Sequence, residues 1–167
     1  MLKIFNDLEV FFNDNYRQVH VREYAKDLGI SPPTASKRLE QYHKEGILQR
    51  TIDKRHHLFA AKRKSTLFQS LLQAYWQHKL TAFIQAVDEQ HFNPSVVLFG
   101  SAVKAELLAK SDLDIAIFSE SKRKINIKSF EKSLGREVQV FQFKTVHDAP
   151  EQLKKNILNG KLLLGAW

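Results

Sequence analysis

The sequence predicts an α+β chain of two small modules joined by helix, and three observations carry that prediction. A helix-turn-helix pattern around Gly29 is followed by two short strand patterns. Residues 65–90 repeat apolar side chains every three and four positions. The stretch from Phe99-Gly100-Ser101 to Ser111-Asp112-Leu113-Asp114 reads as strand, tight turn, helix-length spacer and second strand. The expected boundaries are 1–64 for a helix-turn-helix module with a β-hairpin, 65–90 for a linking helical segment, and 91–167 for an α/β module with a small mixed sheet. A chain of 167 residues, 43% apolar, suffices for two compact cores.

In the first module, Ala25 lies four residues before Gly29, and a new helix follows that glycine. Ser31 suits an N-cap, and Pro32 suits the first helical position, where a missing amide hydrogen costs nothing. Ala35, Leu39 and Tyr42 share a core-facing stripe, which leaves Pro33, Thr34, Ser36, Lys37 and Arg38 outside or at the helix start. Glu45 to Ile52 and His57 to Ala60 then read as strands joined by Asp53-Lys54-Arg55-His56, a hairpin with a basic tip. Recognition-type helix and basic hairpin together resemble the winged helix-turn-helix domains of archaeal and bacterial regulators. That resemblance implies binding to double-stranded DNA, with Pro33, Thr34, Ser36, Lys37, Arg38, Lys54 and Arg55 as contacts.

Charge is distributed in the same way. Arg22 to Lys64 holds 11 Lys or Arg against 5 Asp or Glu, so +6 of the formal +8 lies there. Such a surface displaces counterions from phosphates, although a solvated basic face has the same composition. His56 and His57 read as surface residues, because no cluster of His, Cys or acids completes a metal site near them.

The linking segment, with Leu67, Phe68, Leu71, Leu72, Tyr75, Trp76, Leu80, Phe83, Ile84 and Val87 in register, is one long amphipathic helix or a pair. A helix of that length needs a partner surface, and a homodimer seam would suit paired helix-turn-helix modules on a two-fold operator.

In the last module, Val96-Val97-Leu98-Phe99 is a short buried strand. Gly100-Ser101 makes a turn whose amides and hydroxyl can meet a phosphate. Asp112 and Asp114 leave the same face of the next strand, because side chains alternate at period two, and that is a divalent-metal arrangement. Hydrophobic-Gly-Ser, a spacer of about ten residues and Asp-hydrophobic-Asp resembles the nucleotidyltransferase superfamily, closest to its minimal archaeal and bacterial members. The resemblance covers roughly residues 80–167. It implies that Gly100, Ser101, Lys104 and Ser111 hold the nucleotide, that Asp112 and Asp114 ligate two magnesium ions, and that a nucleoside monophosphate moves from an NTP to an acceptor.

Two departures from that pattern stand out. Family members usually carry Arg-Gly after the Gly-Ser turn, and Lys104-Ala105 keeps the charge without the glycine. The third acid belongs on the strand Arg136 to Phe143, where the best register puts Gln139. Gln is a neutral amide and cannot serve as a general base. Glu137, two residues earlier on the same strand face, is the candidate substitute. A helix from Pro150 to Gly160, capped by that glycine, and an extended tail read as core. Lys122-Arg123-Lys124 follows the Asp-x-Asp strand as a basic loop.

No apolar run is long enough to cross a membrane, no signal peptide is legible, and there are no cysteines, so the expected location is the cytoplasm. Two alternatives to an active, DNA-binding transferase remain. One is a catalytically inactive transcriptional regulator that uses the transferase fold as sensor or dimer module. The other is a toxin–antitoxin or defence component whose chief partner is another protein.

Overall fold

The computed structural model describes residues 2–53, 56–121 and 123–167. The chain divides into two compact units, Met1–Leu72 with Ala105–Ala109, and Gln73–Lys104 with Lys110–Trp167.

The first unit opens with α1 (Lys3–Asn13), which buries Phe5, Leu8, Phe11 and Phe12 along one stripe. A three-residue strand, β1 (Gln18–His20), leads into α2 (Val21–Leu28), which ends at Gly29 in the left-handed region at φ 63°. α3 (Pro32–Lys44) begins as the sequence requires: Ser31 Oγ accepts the Thr34 amide at 3.4 Å, and Pro32 occupies the first turn. Ala35, Leu39 and Tyr42 are buried from it. β2 (Leu48–Asp53) and β3 (His56–Ala61) form the hairpin, with Asp53 opposite His56. β1 adds to the other edge of β3, so the antiparallel sheet runs β1-β3-β2. Three residues without alternation carry no strand signal of their own, and β1 exists because β3 offers it a hydrogen-bonding edge.

An ion pair is built into this unit's interior. Asp7 on α1 is buried; its Oδ1 accepts from Arg38 at 2.6 Å and its Oδ2 accepts from the Tyr42 hydroxyl at 2.8 Å. The Tyr24 hydroxyl donates to the Asp7 carbonyl at 2.8 Å. Burial, with the Asp7 charge beside them, pushes both tyrosines well above the usual phenol range. Buried Asn15 ties in the segment Ala105–Ala109: its Oδ1 accepts the Leu107 backbone amide, and its backbone amide donates to the Leu107 carbonyl, each at 2.8 Å.

The linking segment is a pair of helices, α4 (Thr66–Lys79) and α5 (Thr81–Gln90), broken at Leu80. β4 (Ser95–Phe99), α6 (Ser101–Lys104), β5 (Leu113–Phe118), α7 (Lys128–Leu134), β6 (Val138–Phe143), α8 (Glu151–Leu158) and β7 (Lys161–Leu164) complete the second unit. Its mixed sheet runs β6-β5-β4-β7, with β5 and β6 parallel and the other pairs antiparallel. The parallel pair follows from α7, which returns the chain to the same end of the sheet. Val97, Phe99, Ala116 and Phe118 line one face, against Ile157 of α8.

Asn159, not Gly160, closes α8. Gly160 is required by packing: a Cβ there would lie 2.6 Å from the Leu98 carbonyl oxygen and 2.7 Å from Val97. Among the described residues no helix is long and apolar enough to cross a membrane.

Candidate functional site

The sheet of the second unit brings its chemistry together at one end. β4 and β5 pair so that Phe99 faces Asp114 across the ladder, and the chain then turns at Gly100. Gly100 has φ 75°, a conformation costly for any side chain, and a Cβ on it would collide with Asp114 Oδ2. The glycine is therefore required twice, by backbone conformation and by contact with the carboxylate. Ser101, half-buried, starts α6 directly after it.

Asp112 is exposed just before β5, and Asp114 is half-buried within it, on the face that continues through Ala116 and Phe118. Burial raises the Asp114 carboxyl above the usual range, and the neighbouring Asp112 charge raises it further. Two acids that repel in this way form a donor set that a divalent ion would relieve. Magnesium suits that set, since it is commonly held by one or two carboxylates with substrate phosphates and retained waters.

The parallel ladder pairs Asp114 with Gln139 and Leu113 with Val138. An exposed amide therefore stands beside Asp114, on the same face. Glu137 is exposed one step before the ladder, where its carbonyl accepts the Leu113 amide at 3.0 Å. Among the described residues no three His, Cys, Asp or Glu side chains converge into a metal cage. The two aspartates are the acids brought to Gly100.

Neighbouring residues set the position of these groups. Lys104 Nζ donates to Asn156 Oδ1 at 3.0 Å, which directs its charge toward α8. Ala105 holds φ 56°, a left-handed conformation that a glycine would take without strain, at a cost of about 1 kcal/mol. Ser111 is half-buried, and its carbonyl accepts from the Arg136 guanidinium, which also lies 5.7 Å from the Trp76 ring centroid. Arg136 thus secures the turn that presents Asp112. Sequence reasoning passed over it, since an arginine just before a strand carries no signal until a partner is seen.

In the first unit, Pro33, Thr34 and Lys37 are exposed on the opening turns of α3 and Ser36 is half-buried. The Thr34 hydroxyl lies 2.9 Å from Ser31 Oγ and so belongs to the helix cap. Arg38 is corrected in orientation. It does not point outward from α3; its guanidinium turns to Asp7, because a buried carboxylate needs a charged donor more than solvent does. Lys54, Arg55 and Lys122 lie outside the described residues.

A sequence model of the family described as polymerase beta, nucleotidyltransferase matches residues 83–166, just over half of the chain. The match begins within α5 and spans the Gly-Ser turn, both aspartates and the whole mixed sheet. No curated protein matches this sequence.

Proposed function

Since the chain belongs to the polymerase beta nucleotidyltransferase family, we propose that its second unit binds a magnesium nucleoside triphosphate and transfers the nucleoside monophosphate to an acceptor, and that its first unit is a winged helix-turn-helix that binds double-stranded DNA. The observation that carries the first part is the apposition of Gly100 and Asp114, with Asp112 beside them.

In this reading Gly100 and Ser101 receive the triphosphate: the glycine lets phosphate oxygens approach the backbone, and the Ser101 hydroxyl donates to one of them. Asp112 and Asp114 hold the magnesium, which when bound neutralises phosphate charge and aligns the reacting oxygens. Transfer forms a bond from an acceptor oxygen to the α-phosphorus and breaks the bond to pyrophosphate. The acceptor's proton must go to a base. Gln139 cannot take it, so Glu137 is the carboxylate for that role and for a second ion.

One observation favours a second reading, in which nucleotide is bound without turnover and regulates DNA binding: Gln139 stands in the ladder beside Asp114. Incubation with magnesium and α-labelled NTPs separates the two. Active transfer gives magnesium-dependent label on an acceptor; the sensor reading gives bound, intact NTP. Restoring a carboxylate with Gln139→Asp is expected to raise transfer by about a hundredfold, in the range of a positioned general base. An unchanged rate would remove Gln139 as the limiting departure.

For the first unit the support is the exposed start of α3, the hairpin and the local positive charge. Affinity for duplex DNA is expected to fall steeply with salt. Lys37→Ala should weaken binding evenly across sequences and lower the salt slope by about one. A salt-independent affinity would overturn the assignment.

A further inference from the structure

The mixed sheet of the second unit ends at β6, which pairs with β5 and, among the described residues, with no other strand. Its six residues, Val138–Phe143, hold no charge, proline or glycine, and their register with β5 runs from Leu113↔Val138 to Phe118↔Phe143 without a bulge. Edge strands are ordinarily blunted by such devices, because their unpaired amides and carbonyls template pairing with another chain. The other edge strands carry them. β7 is four residues long, starts at Lys161 and pairs with β4 through a register shift. β2 carries Arg50 and Asp53, and β1 has three residues.

Backbone direction determines which groups of β6 are free. The Glu137 and Phe143 carbonyls accept from the Leu113 and Ser119 amides at 3.0 and 2.9 Å, so the odd-numbered residues turn their polar groups to β5. Val138, Val140 and Gln142 turn theirs outward. Glu131 Oε1 takes the Val138 amide at 3.0 Å, whereas the amides of Val140 and Gln142 have no partner among the described residues.

Two copies of this edge fit each other in one register. A two-fold axis normal to the sheet requires paired residues to leave the same face, so the axis passes through a residue paired with itself. Centred on Val140, it would set Val138 against the partner's Gln142 and need the amide that Glu131 already holds. It would also oppose Arg136 and the partner's Lys144, two like charges. Centred on Phe141, it sets Val140 against the partner's Gln142, where free amides and carbonyls exchange both bonds, and no like charges are directly opposed. Phe141 then meets its own copy at a non-hydrogen-bonded position, with Cα atoms about 4.5 Å apart. Its ring already lies against Phe99 at 5.6 Å, so the pair extends an aromatic row across the axis.

We propose that β6 is a homodimer edge, on which a second copy of this chain pairs antiparallel in the register centred on Phe141 and joins the two four-stranded sheets into one. The linking helices are not that seam, since Leu72, Tyr75, Trp76, Phe83 and Val87 are buried. The pairing stands apart from the transferase and DNA readings. It sets the two Asp114 residues on the same face of the joined sheet, about 20 Å apart by strand spacing and rise.

Sedimentation velocity of the full chain is expected to show dimer at about 50 μM and monomer at about 1 μM, in the range of a small interface. Gln142→Pro removes an exposed, outward amide and spares the β5 ladder, a substitution that edge strands accept. By symmetry it deletes a bond in each of two residue pairs and strands two carbonyls, so dimerisation should weaken about a hundredfold while the monomer's circular dichroism stays the same. The chain has no cysteine, so single-cysteine variants read the register directly. Phe141→Cys should cross-link to its own copy under mild oxidation, while Val140→Cys and Gln142→Cys, each offset from its copy by two residues, should not. A chain that stays monomeric at the higher concentration, a dimer indifferent to Gln142→Pro, or cross-linking through Val140→Cys in place of Phe141→Cys overturns the proposal. If Gln142→Pro does not fold, the cysteine variants decide alone.

Discussion

Asp114→Asn is expected to lower magnesium-dependent NTP binding by about a hundredfold or more, since loss of even an outer-shell partner costs a metal site ten- to a hundredfold. The same change should stabilise the ligand-free protein at neutral pH. The Asp114 carboxyl is raised by burial and by Asp112, so the folded state keeps its proton to a higher pH than the unfolded chain does. Between those two values stability falls as pH rises, and above the folded value the whole penalty stands. The amide removes that penalty, and the gain vanishes in acid, where both forms are neutral. Thermal unfolding of both proteins, with and without magnesium and NTP, checks both halves. Wild type should gain from the ligand pair by mass action, and the variant should start higher and gain nothing. A variant that starts lower, or that still responds to the pair, would remove Asp114 from the site.

Asp7→Ala is expected to destabilise the first unit by about 3 kcal/mol, more than a hundredfold in its folding equilibrium. The Asp7 carboxylate is buried and serves Arg38 at 2.6 Å and the Tyr42 hydroxyl at 2.8 Å, so truncation strands two donors at once. That is the low end for a broken buried pair, because Arg38 is 24% exposed and can turn partly to water. Urea unfolding should show a lower midpoint with an unchanged slope. Asp7→Asn, which keeps an acceptor for Tyr42 but loses the charge, should cost less. A midpoint shift of a few tenths of a kcal/mol would mean that Arg38 is free to serve the surface.

Much of this was written in local residue choice. Ser31 and Pro32 announce the start of α3, and Gly29 takes the left-handed conformation that its place after α2 implies. Gly100-Ser101 and Asp112-Leu113-Asp114 announce the turn and the strand at the site. Each is a signal within a few residues, set by caps, turns and side-chain alternation. β1 was not legible because its stability comes from pairing with β3, some forty positions further along the chain. Arg38 was misplaced for a similar reason: helical spacing orients a side chain relative to its own helix, whereas Asp7 on α1 decides where the guanidinium ends.

By itself the sequence determined the helix-turn-helix and its hairpin, the helical linking segment, the Gly-Ser turn, the pair of aspartates on one strand face and the basic character of the first unit. These depend on backbone conformation and period, which neighbouring residues dictate. Only the tertiary structure decided that Gly100 has no room for a side chain beside Asp114, that Gln139 stands next to that acid, and that Arg136 holds the turn before Asp112. Those are contacts between residues distant in the chain. Their existence depends on register and packing, which no local pattern encodes.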